Sequence, residues 1–122
     1  MALVQGVELS NSEKTNDTSI KVPTSNLITP TISGATDVFT RYYKIGETVR
    51  LNINIQNVPS SGTVLFTLPS GYHPMFNLYV VASNGSFVVS GVVNVLTSGV
   101  VQVKPIGNAT EMICFITFDA AT

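Results

Sequence analysis

Tryptophan is absent, cysteine and histidine occur once each, and charged residues make up 11% of the 122 positions, against about 25% in an ordinary soluble domain. Each shortage excludes something. With Cys114 alone, no disulfide can form within the chain, and its apolar run Met112-Ile113-Cys114-Phe115-Ile116 predicts a buried, inert thiol. One Cys and one His offer too few ligands for an ordinary zinc site, so neither a metal nor any other cofactor is expected. A net charge of −1 provides no basic field to attract nucleic acid or an acidic membrane surface. No run approaches the roughly 18 to 20 apolar residues a membrane helix needs. Met1-Ala2-Leu3-Val4-Gln5-Gly6 lacks the charged start and long apolar core of a secretion signal, so synthesis in the cytoplasm as a soluble protein is expected. So little surface charge also suits a protein that hides part of its surface in an oligomer.

Catalytic signatures are missing too. There is no Gly-x-Ser-x-Gly, no His-Glu-x-x-His and no phosphate-cradling glycine loop. Glycoside cleavage would need two carboxylates flanking a sugar. The seven carboxylates here lie mostly near the N-terminus or beside turns; Asp37 and Glu47 flank one strand as surface or turn residues. The chain is expected not to be an enzyme.

What is present is a succession of short strands. Val49, Leu51, Ile53 and Ile55 alternate with Arg50, Asn52, Asn54 and Gln56, the period of a strand with one buried face. Before it comes Val38-Phe39-Thr40-Arg41-Tyr42-Tyr43, and after it Thr63 to Leu68, then Met75 to Ala82, Ser86 to Val95, Val100 to Lys104 and Glu111 to Phe118. Turn residues separate them at Asn57–Gly62, Ser83-Asn84-Gly85, Thr97-Ser98-Gly99 and Ile106–Thr110, and Gly91 marks a bulge or bend. Such spacing, with no sustained helical period, predicts an all-β antiparallel sandwich or barrel. Residues 1–36 are rich in Ser, Thr, Asn and Pro and read as an extended arm, neck or linker, with residues 37–122 forming the domain. Within the arm, Ser19–Val22 and Asn26–Thr29 are candidate edge strands ended by Pro23 and Pro30.

Between the two sheet-forming halves lies Leu68-Pro69-Ser70-Gly71-Tyr72-His73-Pro74. Its prolines fix φ and donate no N–H, so it is a rigid loop rather than strand. For His73 the open readings are hydrogen bonding to sugar hydroxyls beside Tyr72, or a structural role that caps the loop or packs at a subunit interface. Tyr42, Tyr43 and Tyr79 can stack on a sugar or pack with a wet hydroxyl. The candidate saccharide-binding residues are Tyr72, His73 and Asn77, from the loop and its exit, and Asn84 and Asn108, from polar turn tips.

Tyr43-Lys44-Ile45-Gly46 with Val49-Arg50-Leu51, followed by Thr67 to Pro74, resembles the C-terminal head domains of bacteriophage tail-fibre and baseplate receptor-binding proteins, the lactococcal siphophages among them. Gly99 to Val103 and Phe115 to Phe118 resemble that family's last two strands, so the likeness spans about residues 37–120. The family's loop carries Arg where this chain has His73, and that Arg's role does not transfer. The resemblance implies a knob-like homotrimer on the virion that binds cell-wall saccharides of a Gram-positive host, joined to other tail or baseplate proteins through the N-terminal segment. The family's sugar contacts fall on no motif here. Two other readings fit the same composition: a virion head-fibre or decoration protein without a receptor, and a small carbohydrate-binding module, which would ordinarily show a Trp-bearing aromatic platform.

Overall fold

Residues 26–121 are described by the computed structural model; residues 1–25 of the arm predicted over 1–36, with the candidate strand Ser19–Val22, lie outside them. Among the described residues, eight strands form one antiparallel sheet: β1 (Thr36–Asp37), β2 (Arg41–Ile45), β3 (Thr48–Gln56), β4 (Thr63–Thr67), β5 (Leu78–Ser83), β6 (Val89–Val95), β7 (Val100–Pro105) and β8 (Met112–Asp119). Along the sheet the order is β1-β3-β8-β5-β6-β7-β4, with β2 also on β3. The all-β antiparallel architecture is the one the strand pattern predicts, and the sheet curls strongly on itself.

The alternating segment becomes the centre of the core. Val49, Leu51, Ile53 and Ile55 are fully buried. Their partners on β8 are Phe118, Ile116, Cys114 and Met112, so two period-2 strands meet with matching faces. Leu65, Val93, Val95, Val101 and Val103 complete the interior. Burial of a Leu, Ile or Val side chain contributes about 1.5–3 kcal/mol, which makes this register expensive to slip.

Three irregularities shape the sheet. Asp37 pairs with Ile55 but Arg41 with Asn52, so Val38, Phe39 and Thr40 face only Ile53 and Asn54 and one residue bulges out. The buried Thr40 hydroxyl fills the gap by accepting a hydrogen bond from the Asn54 N–H (3.2 Å). A second bulge falls at Ser90, beside Gly91, where a Cβ would lie 2.5 Å from the Lys104 carbonyl oxygen; only glycine lets β6 and β7 approach so closely. The third sits in β4 between Val64 and Phe66 and turns both Leu65 and Phe66 inward.

Part of the segment predicted as an arm lies on this sheet. Ile28 bridges Tyr42 of β2 through two backbone hydrogen bonds (2.8 and 3.1 Å), which places an edge pairing inside the expected piece Asn26–Thr29. The Ser33 N–H then donates to the Leu65 carbonyl of β4 (2.9 Å). Ile28, Ile32 and Ala35 pack against the core. Residues 28–33 thus bridge the two ends of the curled sheet, where Tyr42 and Phe66 stack with ring centres 6.0 Å apart.

Candidate functional site

The prolyl loop sits at one end of the curled sheet, beside the turn 96–99 and residues 119–121. Its backbone groups and the His73 ring are engaged within the fold. The Tyr72 N–H donates to the Pro69 carbonyl (3.1 Å), and Gly71, at φ 91°, takes the left-handed conformation that closes the turn. Lys44 Nζ donates to the Gly71 carbonyl (2.7 Å) and stands 4.9 Å over the Tyr72 ring. That ring meets Tyr42 edge-on at 5.4 Å. Burial, and then the neighbouring Tyr72 hydroxyl, push the Tyr42 pKa above its ordinary value. His73 Nε2 lies 2.9 Å from the Leu68 carbonyl; a carbonyl only accepts, so this geometry assigns the proton to Nε2. The Leu68 N–H donates to Gly99, and the Ala121 N–H to the His73 carbonyl, each at 2.8 Å. Asn77 Oδ1 accepts from the Thr97 N–H (2.9 Å). Loop and turn form a clasp.

Asn84 and Asn108 lie at the opposite end. Nine residues of β3 separate the two ends, about 30 Å at a strand's rise. Asn84 Oδ1 accepts from the Ser86 and Val88 N–H groups (2.8 and 3.2 Å) and so shapes its own turn. Asn108 is exposed in the loop after β7. The structure therefore brings Tyr72, His73 and Asn77 together and keeps Asn84 and Asn108 apart from them. The five do not form one site within a chain. Among the described residues, no group of three or more His, Cys, Asp or Glu is placed to hold a metal.

Sequence reasoning missed a third region, on the outer face of β6, β7 and β4. A groove of about 580 Å³ runs there, within the usual range of ligand sites. Val64 and Val92 give it apolar surface, Asn94 and Gln102 present paired amides, and the segments Ser61–Thr63 and Pro105–Ile106 wall its end. Asn94 Oδ1 is buried without a hydrogen-bond partner. Asn94 and Gln102 occupy the outward positions of valine-rich strands, where sequence alone reads a solvated face.

No family profile matches the chain, and no curated protein matches it in sequence. Among solved structures it is similar to the receptor binding protein (gp15) of Listeria phage PSA, with a TM-score of 0.53 and 18% sequence identity. The match covers 77% of this chain and 63% of that one, so this chain spans less than two thirds of its structural neighbour. At that identity the likeness is one of fold. It does not reach the lactococcal siphophages that the motifs resemble.

Proposed function

We propose that the chain is the receptor-binding head of a bacteriophage, a virion component that attaches the particle to cell-wall saccharides of a Gram-positive host and performs no catalysis. The observation that carries this reading is the fold shared with a Listeria phage receptor binding protein, to which the ordered motifs from Tyr43 to Phe118 add independent weight.

The head works as a homotrimer. Phe115 and Val81, each 59% exposed, lie on neighbouring strands of the outer face, and continuing the Ile113–Ser83 register sets them side by side. The outward positions of β8 and β5 from Ile113 to Thr117 and from Tyr79 to Ser83 carry no charge. A second copy that covers this face removes apolar surface from water, as subunit interfaces do. Several copies on one virion then let weak sugar sites hold together, because tethering raises effective concentration.

Light-scattering mass of the purified chain, followed by binding of the same sample to Gram-positive cells, tests both parts. A mass near three times 13.0 kDa with cell binding is the expected result. A trimer that labels no cell points to a decoration protein, and a monomer points to a small binding module. Phe115→Arg is expected to shift the trimer toward monomer by placing a charge on the covered face.

A further inference from the structure

Strand register places four outer-face side chains in a single row. Val64 of β4 lies beside Gln102 of β7, Gln102 beside Asn94 of β6, and Asn94 beside Tyr79 of β5. In the next row, Lys104 lies beside Val92 and Val92 beside Val81. The groove of about 580 Å³ follows these rows from Val64 to Asn94, and Tyr79, 66% exposed, stands just past it. Native folds seldom bury a side-chain oxygen without a partner, and where one occurs it calls for a missing donor. Among the described residues Ser90 Oγ and Asn94 Oδ1 are such atoms, and of the two only Asn94 lines the groove.

We infer that this groove over β4, β7 and β6, and not the prolyl loop, is the saccharide-contacting surface of the head. The inference rests on the adhesin reading above and adds the site to it. Each amide supplies two N–H donors and a carbonyl acceptor, matching sugar hydroxyls that both donate and accept. Val64 and Val92 supply the apolar surface on which the C–H face of a ring rests. The torsion of an asparagine amide is broad, so Oδ1 turns readily toward a hydroxyl that enters the groove. Other ligand classes fit less well. Lys104 is the one charged residue among the described lining residues, whereas a nucleic-acid track needs several cations. An added peptide strand needs a free sheet edge, and the nearest edge strand, β4, is already met by the Ser33 N–H, which donates to the Leu65 carbonyl.

The test uses the fluorescently labelled full chain on a panel of Gram-positive cells, alongside Asn94→Ala, Gln102→Ala and Tyr72→Ala. Asn94→Ala and Gln102→Ala are each expected to weaken labelling about tenfold, the loss of roughly one hydrogen bond per site. The urea midpoint of Asn94→Ala separates binding from structure. Removing an unpartnered buried acceptor should leave the midpoint unchanged or raise it, whereas loss of a structural contact would lower it. Labelling that survives both groove substitutions, or falls only with Tyr72→Ala, overturns the groove while the adhesin reading stands. If the wild-type chain labels no cell, both fall together.

Discussion

The prolyl loop and the outer groove are both rich in hydrogen-bonding side chains, and they use them in opposite ways. In the loop, His73 is spent on the Leu68 carbonyl, Asn77 on Thr97 and Lys44 on Gly71. In the groove, Asn94 keeps a buried oxygen with no partner. A polar side chain that completes a turn has its geometry fixed and its capacity filled, so little remains for a ligand. One that the fold leaves unsatisfied carries a cost with no structural return. Polarity in a loop is thus weak evidence of binding, and unmet polarity on a sheet face is stronger.

The largest effect is expected where the clasp is tightest. Gly99 has φ 90°, and a Cβ there would lie 2.5 Å from His73 Nε2 and 2.7 Å from the Leu68 carbonyl oxygen. Gly99→Val should therefore lower stability by about 2–4 kcal/mol in urea denaturation, from backbone strain and displacement of the loop. A change below about 0.5 kcal/mol would mean that the loop is free to move and the contrast with the groove is false.

Next come the groove substitutions, each about tenfold in cell binding, or roughly 1.4 kcal/mol, with no loss of stability. His73→Ala should give the reverse pattern. It leaves the Leu68 carbonyl without its partner and lowers stability by about 1 kcal/mol, while cell binding per folded molecule stays the same. Binding lost without stability lost at His73 would return the site to the loop.

An effect confined to alkaline pH belongs to Cys114, on the buried side of the same sheet. Burial pushes its pKa from 9.0 up to about 11. The thiol is then held protonated in the fold, and its stabilising contribution is complete below pH 9. It is lost as pH rises from 9 through 11, because the unfolded chain releases that proton first. The urea midpoint of the wild type, relative to Cys114→Val, should hardly differ between pH 7 and 8 and should fall between pH 9 and 10.5. Alkylation of the native thiol at pH 8 should be far slower than that of the urea-unfolded chain.

Much of the fold was legible residue by residue. The alternation from Val49 to Gln56 became β3 with its apolar side fully buried, because a period of two admits one face to the core and excludes the other. The bulge beside Gly91 and the loop between two prolines were marked by residues whose backbone limits are local. The segment 28–35 was harder. Its Ser, Thr and Pro content reads as a linker, yet Ile28, Ile32 and Ala35 pack on the core and Ser33 hydrogen-bonds to β4. Those contacts join residues more than a dozen positions apart, which no local pattern encodes. The candidate site was legible only in part. Tyr72, His73 and Asn77 do come together, but the separation of Asn84 and Asn108 from them depends on which end of the sheet each turn occupies.

By itself, then, the sequence determined the all-β class, the buried face of the central strands, the rigid loop and the buried thiol, since all of these follow from short-range alternation and from the backbone limits of Pro and Gly. Only the tertiary structure decided that residues 28–33 bridge the sheet's ends, that His73 serves the loop, and that Asn94 and Gln102 stand side by side. Strand pairing sets those relations, and its register is fixed by the packing of the whole core rather than by any one stretch of chain.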